Sequence, residues 1–334
     1  MDIQTTSAAL LSRPGVEHAG LPEMNTPWFE SPFFHELLAE RDCTPEQRAL
    51  VEKFAEDGYV IIESGIPDFD ELATQIIATL QGEYKGRTRV IDVWKFNPHA
   101  KRLALAPKIA ETVKFLYQRD PIPFQTLNFP VGTQQHTHSD TVHFHSVPHR
   151  FMCGTWVALE DIDETNGPLH LYPGSHTLPV WNFHDLGLPS SADYYERYEQ
   201  ALDRCVQAMK LRKIKATIKK GQVVIWAANV LHGGEPIVDP TRSRHSQVTH
   251  YFFENCLYYT PMFSDPYIGR VAMRKITDIR TGKIVPNIYN GKVIKKIRAF
   301  NPYVEKAMSG MGNMADGMKD GIMKKVLFKL SRRA

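Results

Sequence analysis

Paired cysteines are missing from this chain. Its four, Cys43, Cys153, Cys205 and Cys256, lie far apart. Neither a disulfide framework nor a zinc site built on closely spaced Cys pairs is available. Dispersed thiols suit a reducing compartment. No apolar run approaches the length of a membrane-spanning helix. Met1 to Val16 carries Asp2, no basic stretch and only the short apolar run Ala8-Ala9-Leu10-Leu11. That pattern argues against a secretory signal and leaves a cytoplasmic protein as the expectation. An excess of one charge is also lacking, with 40 Lys and Arg against 37 Asp and Glu. Without a basic groove interleaved with aromatics, nucleic acid is not an expected partner. No internal repeat is present.

What the chain does have is apolar content, 43% over 334 residues, enough for a sizeable core. Residues 1–43 read as an N-terminal arm, with Pro27-Trp28-Phe29 and Pro32-Phe33-Phe34 as anchors onto the body. Thr44-Pro45-Glu46-Gln47 reads as a helix start: a Thr cap, Pro in the first turn, Gln three residues on. The spacing of Ala49, Leu50, Phe54 and Ala55 continues that helix, and Gly58 stops it. Two further helices are predicted near 70–81 and 107–118. From Phe124 onward, short strands alternate with Gly, Pro and Asn. Helices first and strands after predict a mainly β protein with flanking helices, its strands antiparallel in a barrel or double sheet. The basic run from Lys210 to Lys220 reads as an edge strand guarded by lysines. Beyond Asn255, Arg280-Thr281-Gly282-Lys283 and Tyr289-Asn290-Gly291-Lys292 read as hairpin turns. Residues 256–334 form a C-terminal extension with a Met- and Gly-rich stretch. It ends, from Lys319, with six basic residues against one acid. This tail is amphipathic at helical spacing, which fits a helix packed on the body or a weak contact with a membrane surface.

The chemistry concentrates in His138-Ser139-Asp140, in His232, and in Arg244-His245-Ser246. Two imidazoles and one carboxylate are the ligand set of a mononuclear non-haem iron site with open positions for reaction. On a strand, residues i and i+2 share a side, so an H-x-D triplet aims an imidazole and a carboxylate at one point. His232 must then arrive from another strand. Arg244 offers a planar fork suited to the carboxylate of a dianionic co-substrate. Strand alternation places Arg244, Ser246, Val248 and His250 on one face, with Arg242 a competitor for the same task. Five histidines fall between 136 and 149, so a structural His cluster and a zinc site are the rival readings of this tract. Alternation puts His136 on the face of His138 and Asp140, and turns His143 and His145 away.

At these residues the chain resembles the phytanoyl-CoA dioxygenase-like family of Fe(II)/2-oxoglutarate-dependent oxygenases. Asp57-Gly58-Tyr59-Val60-Ile61-Ile62, Trp156 to Asp161, Asn166-Gly167-Pro168-Leu169, Pro173-Gly174-Ser175-His176 and Lys220 to Gly234 follow in the family's order. The resemblance covers about residues 45 to 255. It implies a double-stranded β-helix (jelly-roll, cupin-like) core over residues 44–255, with Fe(II) held by His138, Asp140 and His232. It implies 2-oxoglutarate bound by Arg244, whose spacing to His250-Tyr251-Phe252 is similar to the family's, with Ser246 adding a contact. Trp156 resembles a position beside the co-substrate, and Gln125 is a polar candidate on the preceding strand. The implied reaction is hydroxylation of an unactivated C–H bond of a small or lipid-linked metabolite, consuming O2 and releasing succinate and CO2. Asp140 argues against a halogenase, which needs that carboxylate replaced by a small residue. His176 is expected to fix its turn. The alternative is a non-catalytic barrel that binds a small acid or scaffolds a partner; an intact ligand set speaks against it.

Overall fold

Thr44 starts its helix with a reciprocal pair of hydrogen bonds. Its hydroxyl accepts from Gln47 N at 3.2 Å, and the Gln47 amide oxygen accepts from Thr44 N at 3.0 Å. A computed structural model of the chain describes residue 21, residues 24–289 and residues 292–294. In it helix α1 (Phe34–Ala39) is followed by α2 (Pro45–Asp57), the helix that Thr44 caps. Gly58 ends α2 at φ +77°, where a β-carbon would also strike the His176 ring at 2.4 Å. Strand β1 (Tyr59–Glu63), α3 (Phe69–Leu80), β2 (Val90–Ile91), α4 (Pro98–Ala104) and α5 (Pro107–Tyr117) complete the helical part. The two helices predicted near 70–81 and 107–118 are α3 and α5. Both aromatic anchors hold. Trp28, Phe29 and Phe34 are buried, and the Trp28 indole donates to Leu116 O at 2.7 Å.

The next strands are β3 (Pro121–Phe129), β4 (His145–Val147), β5 (Met152–Ala158), β6 (Leu169–Leu171), β7 (Ile214–Ala216), β8 (Gln222–Ala227), β9 (His232–Gly234) and β10 (Ser246–Phe253). A six-stranded antiparallel sheet runs β1-β8-β5-β10-β3-β2, and a three-stranded one runs β7-β6-β9. In the large sheet β5 and β10 are buried along their whole length, because both faces are covered. Val223, Ile225 and Phe253 join the core that also holds Phe54 of α2, Ile76 of α3 and Val113 of α5. Each such side chain contributes about 1.5–3 kcal/mol by leaving water. On the opposite face, Leu127, Trp156 and Val248 look into a cavity that Leu169, His232 and Gly233 of the small sheet close from the other side. Two antiparallel sheets closed over an internal site make the expected double-stranded β-helix. Strand β7 is the predicted lysine-bearing edge, with Lys215 paired to Glu164 at 2.7 Å.

Three local features depart from the expectations. Helix α6 (Tyr195–Ala208) interrupts the strand region between β6 and β7, burying Tyr198, Leu202 and Val206 against Phe183 and Leu231. His138-Ser139-Asp140 is not a continuous strand. His138 makes a single bridge to His232, and a short 3-10 helix begins at Asp140, capped by the Ser139 hydroxyl. Strand β11 (Leu257–Tyr259) pairs with β4, so the segment after Asn255 adds to the body. Farther on, β12 (Ile276–Thr277) pairs with β13 (Ile284–Val285), and β14 (Ile288–Tyr289) with β15 (Lys292–Val293), as the two turns predicted. The Met-rich stretch and the basic tail lie outside the described residues.

Candidate functional site

His138 and His232 face each other because their backbones exchange two hydrogen bonds, His138 N to His232 O at 2.8 Å and His232 N to His138 O at 3.0 Å. Each imidazole is then locked. His138 Nδ1 donates to His136 O at 2.9 Å, and His232 Nδ1 donates to Val230 O at 2.9 Å. Since a carbonyl only accepts, both rings carry their proton on Nδ1 and turn the Nε2 lone pair inward. Asp140 meets them, Oδ1 at 4.0 Å from His138 Nε2 and Oδ2 at 3.9 Å from His232 Nε2. One ligand atom from each of the three lies within 4.8 Å of the others, and all three residues are buried. These gaps are too long for hydrogen bonds and short enough to share one ion.

Protonation states suit the same task. Burial first, then His232, takes His138 down to about 3, so its imidazole is neutral. Burial works to raise Asp140, but the facing imidazoles of His232, His250 and His138 and the Trp226 indole bring it down to about 2. A neutral imidazole nitrogen on His138 beside an ionised Asp140 carboxylate is what a divalent cation requires. Trp226 Nε1 donates to Asp140 Oδ2 at 2.9 Å. Its ring reaches that far by lying across Gly154, where a β-carbon would fall 2.2 Å from the indole. A third imidazole completes the surround. His250 Nε2 lies 3.8 Å from Asp140 Oδ2, and its Nδ1 is 3.2 Å from the Gln125 amide oxygen.

Arg244 lies at the sealed end of the cavity and is 1% exposed. Its guanidinium sits 5.2 Å from the Trp156 ring and 5.6 Å from the Phe129 ring. One nitrogen donates to Val131 O at 3.2 Å; among the described residues Nε and Nη1 have no hydrogen-bond partner, and neither has the buried Ser246 hydroxyl. Burial lowers Arg244 to about 10, which leaves it cationic at neutral pH. A buried cation with two idle donors is costly unless an anion joins it. Arg242, the competitor on sequence, is instead tied to Asp163 and Thr165 near the surface.

The cavity measures about 420 Å³, and His138, Asp140, His232, Arg244, Trp156 and Gln125 all line it. The expectation for the neighbouring histidines needs correction. His136 turns outward to Asp203 at 2.9 Å, whereas His143 lines the cavity against Tyr195. Alternation fails because His136 precedes the lone bridge at His138, outside any strand, and the chain turns into a 3-10 helix at Asp140, before His143. His145 stacks on Tyr259, and His176 fixes its turn by a bond to Ala55 O at 3.1 Å. Sequence reasoning passed over Trp226 and Tyr195. Trp226 lines the cavity from β8, and Tyr195 from the first turn of a helix that was not foreseen.

The two sheets thus close on a buried two-histidine, one-carboxylate centre. Residues 54–246 match the family model described as phytanoyl-CoA dioxygenase (PhyH), and the chain belongs to that family. Phytanoyl-CoA dioxygenase domain-containing protein 1 of Danio rerio is 32% identical over 144 residues, 41% of this chain and 47% of that protein. The chain thus spans about half the length of that curated relative. Among solved structures, the non-heme alpha ketoglutarate dependent carbocyclase SnoK from nogalamycin biosynthesis is similar at TM-score 0.55 and 17% identity, over 74% of this chain and 95% of its own. The epimerase SnoN in complex with Fe3+, alpha ketoglutarate and nogalamycin RO gives 0.51 and 19%, over 70% and 95%. EctD from S. alaskensis with bound Fe gives 0.50 and 20%, over 63% and 77%. At these identities the likeness is one of fold.

Proposed function

We propose that this protein is an Fe(II)/2-oxoglutarate-dependent dioxygenase that hydroxylates an unactivated C–H bond of a small-molecule substrate. The observation that carries the reading is the pairing, in one cavity, of the His138–Asp140–His232 triad with a buried Arg244 that has two idle donors. His138, Asp140 and His232 would hold the iron. Arg244 and the Ser246 hydroxyl would hold the distal carboxylate of 2-oxoglutarate, with Trp156 as the wall beside it. Iron and 2-oxoglutarate held there would, with O2, supply the oxidising power for C–H hydroxylation, 2-oxoglutarate being converted to succinate and CO2.

The chain's own contribution is placement. Carbonyls of His136 and Val230 keep both imidazoles in the ligating tautomer, and the Trp226 N–H orients Asp140. Phe129, Trp156 and Val248 keep water from the Arg244 end, where a carboxylate–guanidinium pair then forms at low local dielectric. The unit carrying this chemistry is assigned to residues 44–255. A lipid-linked substrate and a weak membrane contact stay attached to the tail from Lys319, outside the described residues. Removal of residues 319–334 tests that link by vesicle co-sedimentation. Among the described residues no helix is long and apolar enough to cross a membrane.

The direct test loads the protein with iron(II) and 2-oxoglutarate without oxygen, reads the visible charge-transfer band, then admits oxygen and measures succinate. Band and succinate in the wild type, and neither in Asp140→Ala, are the expected result. A wild type with no band and no 2-oxoglutarate binding would leave the non-catalytic barrel as the reading.

A further inference from the structure

One charged group on the cavity wall has no part in the assignment above. Arg89 directly precedes β2 and lines the cavity at its open end; it is exposed and, among the described residues, has no hydrogen bond or ion pair. Two residues on, Ile91 lines the same wall while 52% exposed, and its register partner on β3 is Leu127, also a lining residue. Phe144 and Met262 extend this apolar surface. Among the described lining residues the only acid is Asp140, which the metal would take. The imidazole of His143 lines the same cavity. The open end therefore combines an unpaired guanidinium, polar rings and an apolar wall, with no second carboxylate among the described lining residues to receive an amine.

We infer that the substrate is a small free carboxylate with an apolar body, its carboxylate paired to Arg89 and its carbon chain laid along Ile91, Leu127 and Phe144 toward the triad. The inference rests on the iron/2-oxoglutarate reading and names the substrate class of the same site. Size agrees. About 420 Å³ is near the lower end for small-molecule sites, roughly 300–1,000 Å³, and the co-substrate shares it. The two arginines divide the labour by exposure. Arg244, sealed among aromatics, suits a resident co-substrate; Arg89, open to water, suits a ligand that must enter and leave.

The experiment uses full-length protein loaded anaerobically with iron(II) and 2-oxoglutarate. It is titrated with hexanoate, decanoate and 4-phenylbutyrate and with the primary amide of each. Perturbation of the charge-transfer band is read, and thermal stabilisation by the same compounds is read in parallel on protein without iron. We expect at least one acid to act at about ten-fold lower concentration than its amide, the gain of one charge-assisted hydrogen bond. Arg89→Gln should erase that gap, and Arg89→Lys should retain part of it. Equal response to acid and amide, no response to any acid, or a gap that survives Arg89→Gln overturns the proposal. If the band never forms in the wild type, the metal reading has failed; the parallel thermal data still judge the acid–amide preference by the same criteria.

Discussion

Arg242 and Arg244 are two residues apart and belong to different worlds. Arg242 is held at the surface by Asp163 and Thr165; Arg244 is 1% exposed, among aromatic rings, with Nε and Nη1 unpaired. The same side chain is thus a surface clamp in one place and a charged socket in the other. The difference teaches where function resides in this fold. The outer rim satisfies its charges locally, whereas the inner wall leaves one unsatisfied, at a cost in stability, until an anion arrives.

The largest effect expected from breaking this contrast is at the socket. Arg244→Met should lower 2-oxoglutarate affinity by about a hundred-fold or more, as loss of a buried charge-assisted pair would. The same change should leave the metal-free protein as stable or more so, by about 1–4 kcal/mol, since an unpaired buried charge is removed. Isothermal titration and urea melts read the two quantities separately. A variant that is strongly destabilised and keeps its affinity would contradict the socket.

Trp226→Phe sharpens the comparison on the metal side of the wall. Without its indole N–H, Asp140 loses the bond at 2.9 Å, and iron affinity should fall by about 10- to 100-fold with the fold retained. Competition with a chromogenic chelator measures the change.

Acid separates buried histidines from exposed ones. Burial above all lowers His176 to about 4, so the unfolded chain takes up this proton first, near pH 6.5. The contribution to stability is complete above about pH 6.5 and is lost as pH falls toward 4, on the order of 2–3 kcal/mol. Urea midpoints between pH 7 and 5 should therefore decline, and His176→Asn should show a lower midpoint at pH 7 with a shallower decline. Parallel curves for the two proteins would remove His176 as a source of acid sensitivity.

The smallest effect belongs to the rim. Arg242→Gln should leave 2-oxoglutarate affinity within about two-fold, because a surface ion pair contributes little and lies outside the cavity. A large loss in this variant, with Arg244 intact, would exchange the roles of the two arginines.

Much of the fold was legible because its signals are local. Thr44 and Gln47 spell a capping box, Gly58 a left-handed stop, and Lys215 an edge strand, and each depends on neighbours within a few residues. The ends of α3 and α5 were legible to within a residue for the same reason. Helix α6 was missed although Tyr198, Leu202 and Val206 repeat at four-residue spacing; the surrounding strand pattern drew the reading away from it. His136 and His143 were exchanged because strict alternation was extended to both sides of the lone bridge at His138, back into a non-strand segment and on through the 3-10 helix at Asp140.

By itself the sequence determined which residue types were present for the chemistry: two histidines and an aspartate in ordered segments, and an arginine with a serine two places on. It also determined the helix caps, the hairpin turns and the alternation that marks β strands. Only the tertiary structure decided that Asp140 is gripped by Trp226 and faced by His250, and that Arg244 rather than Arg242 is sealed inside. It decided, too, that Arg89 stands unpaired where the cavity opens. The physical reason is range. Caps and turns arise from bonds between near neighbours, while burial and idle donors are set by strands tens of residues apart, brought together when the two sheets close.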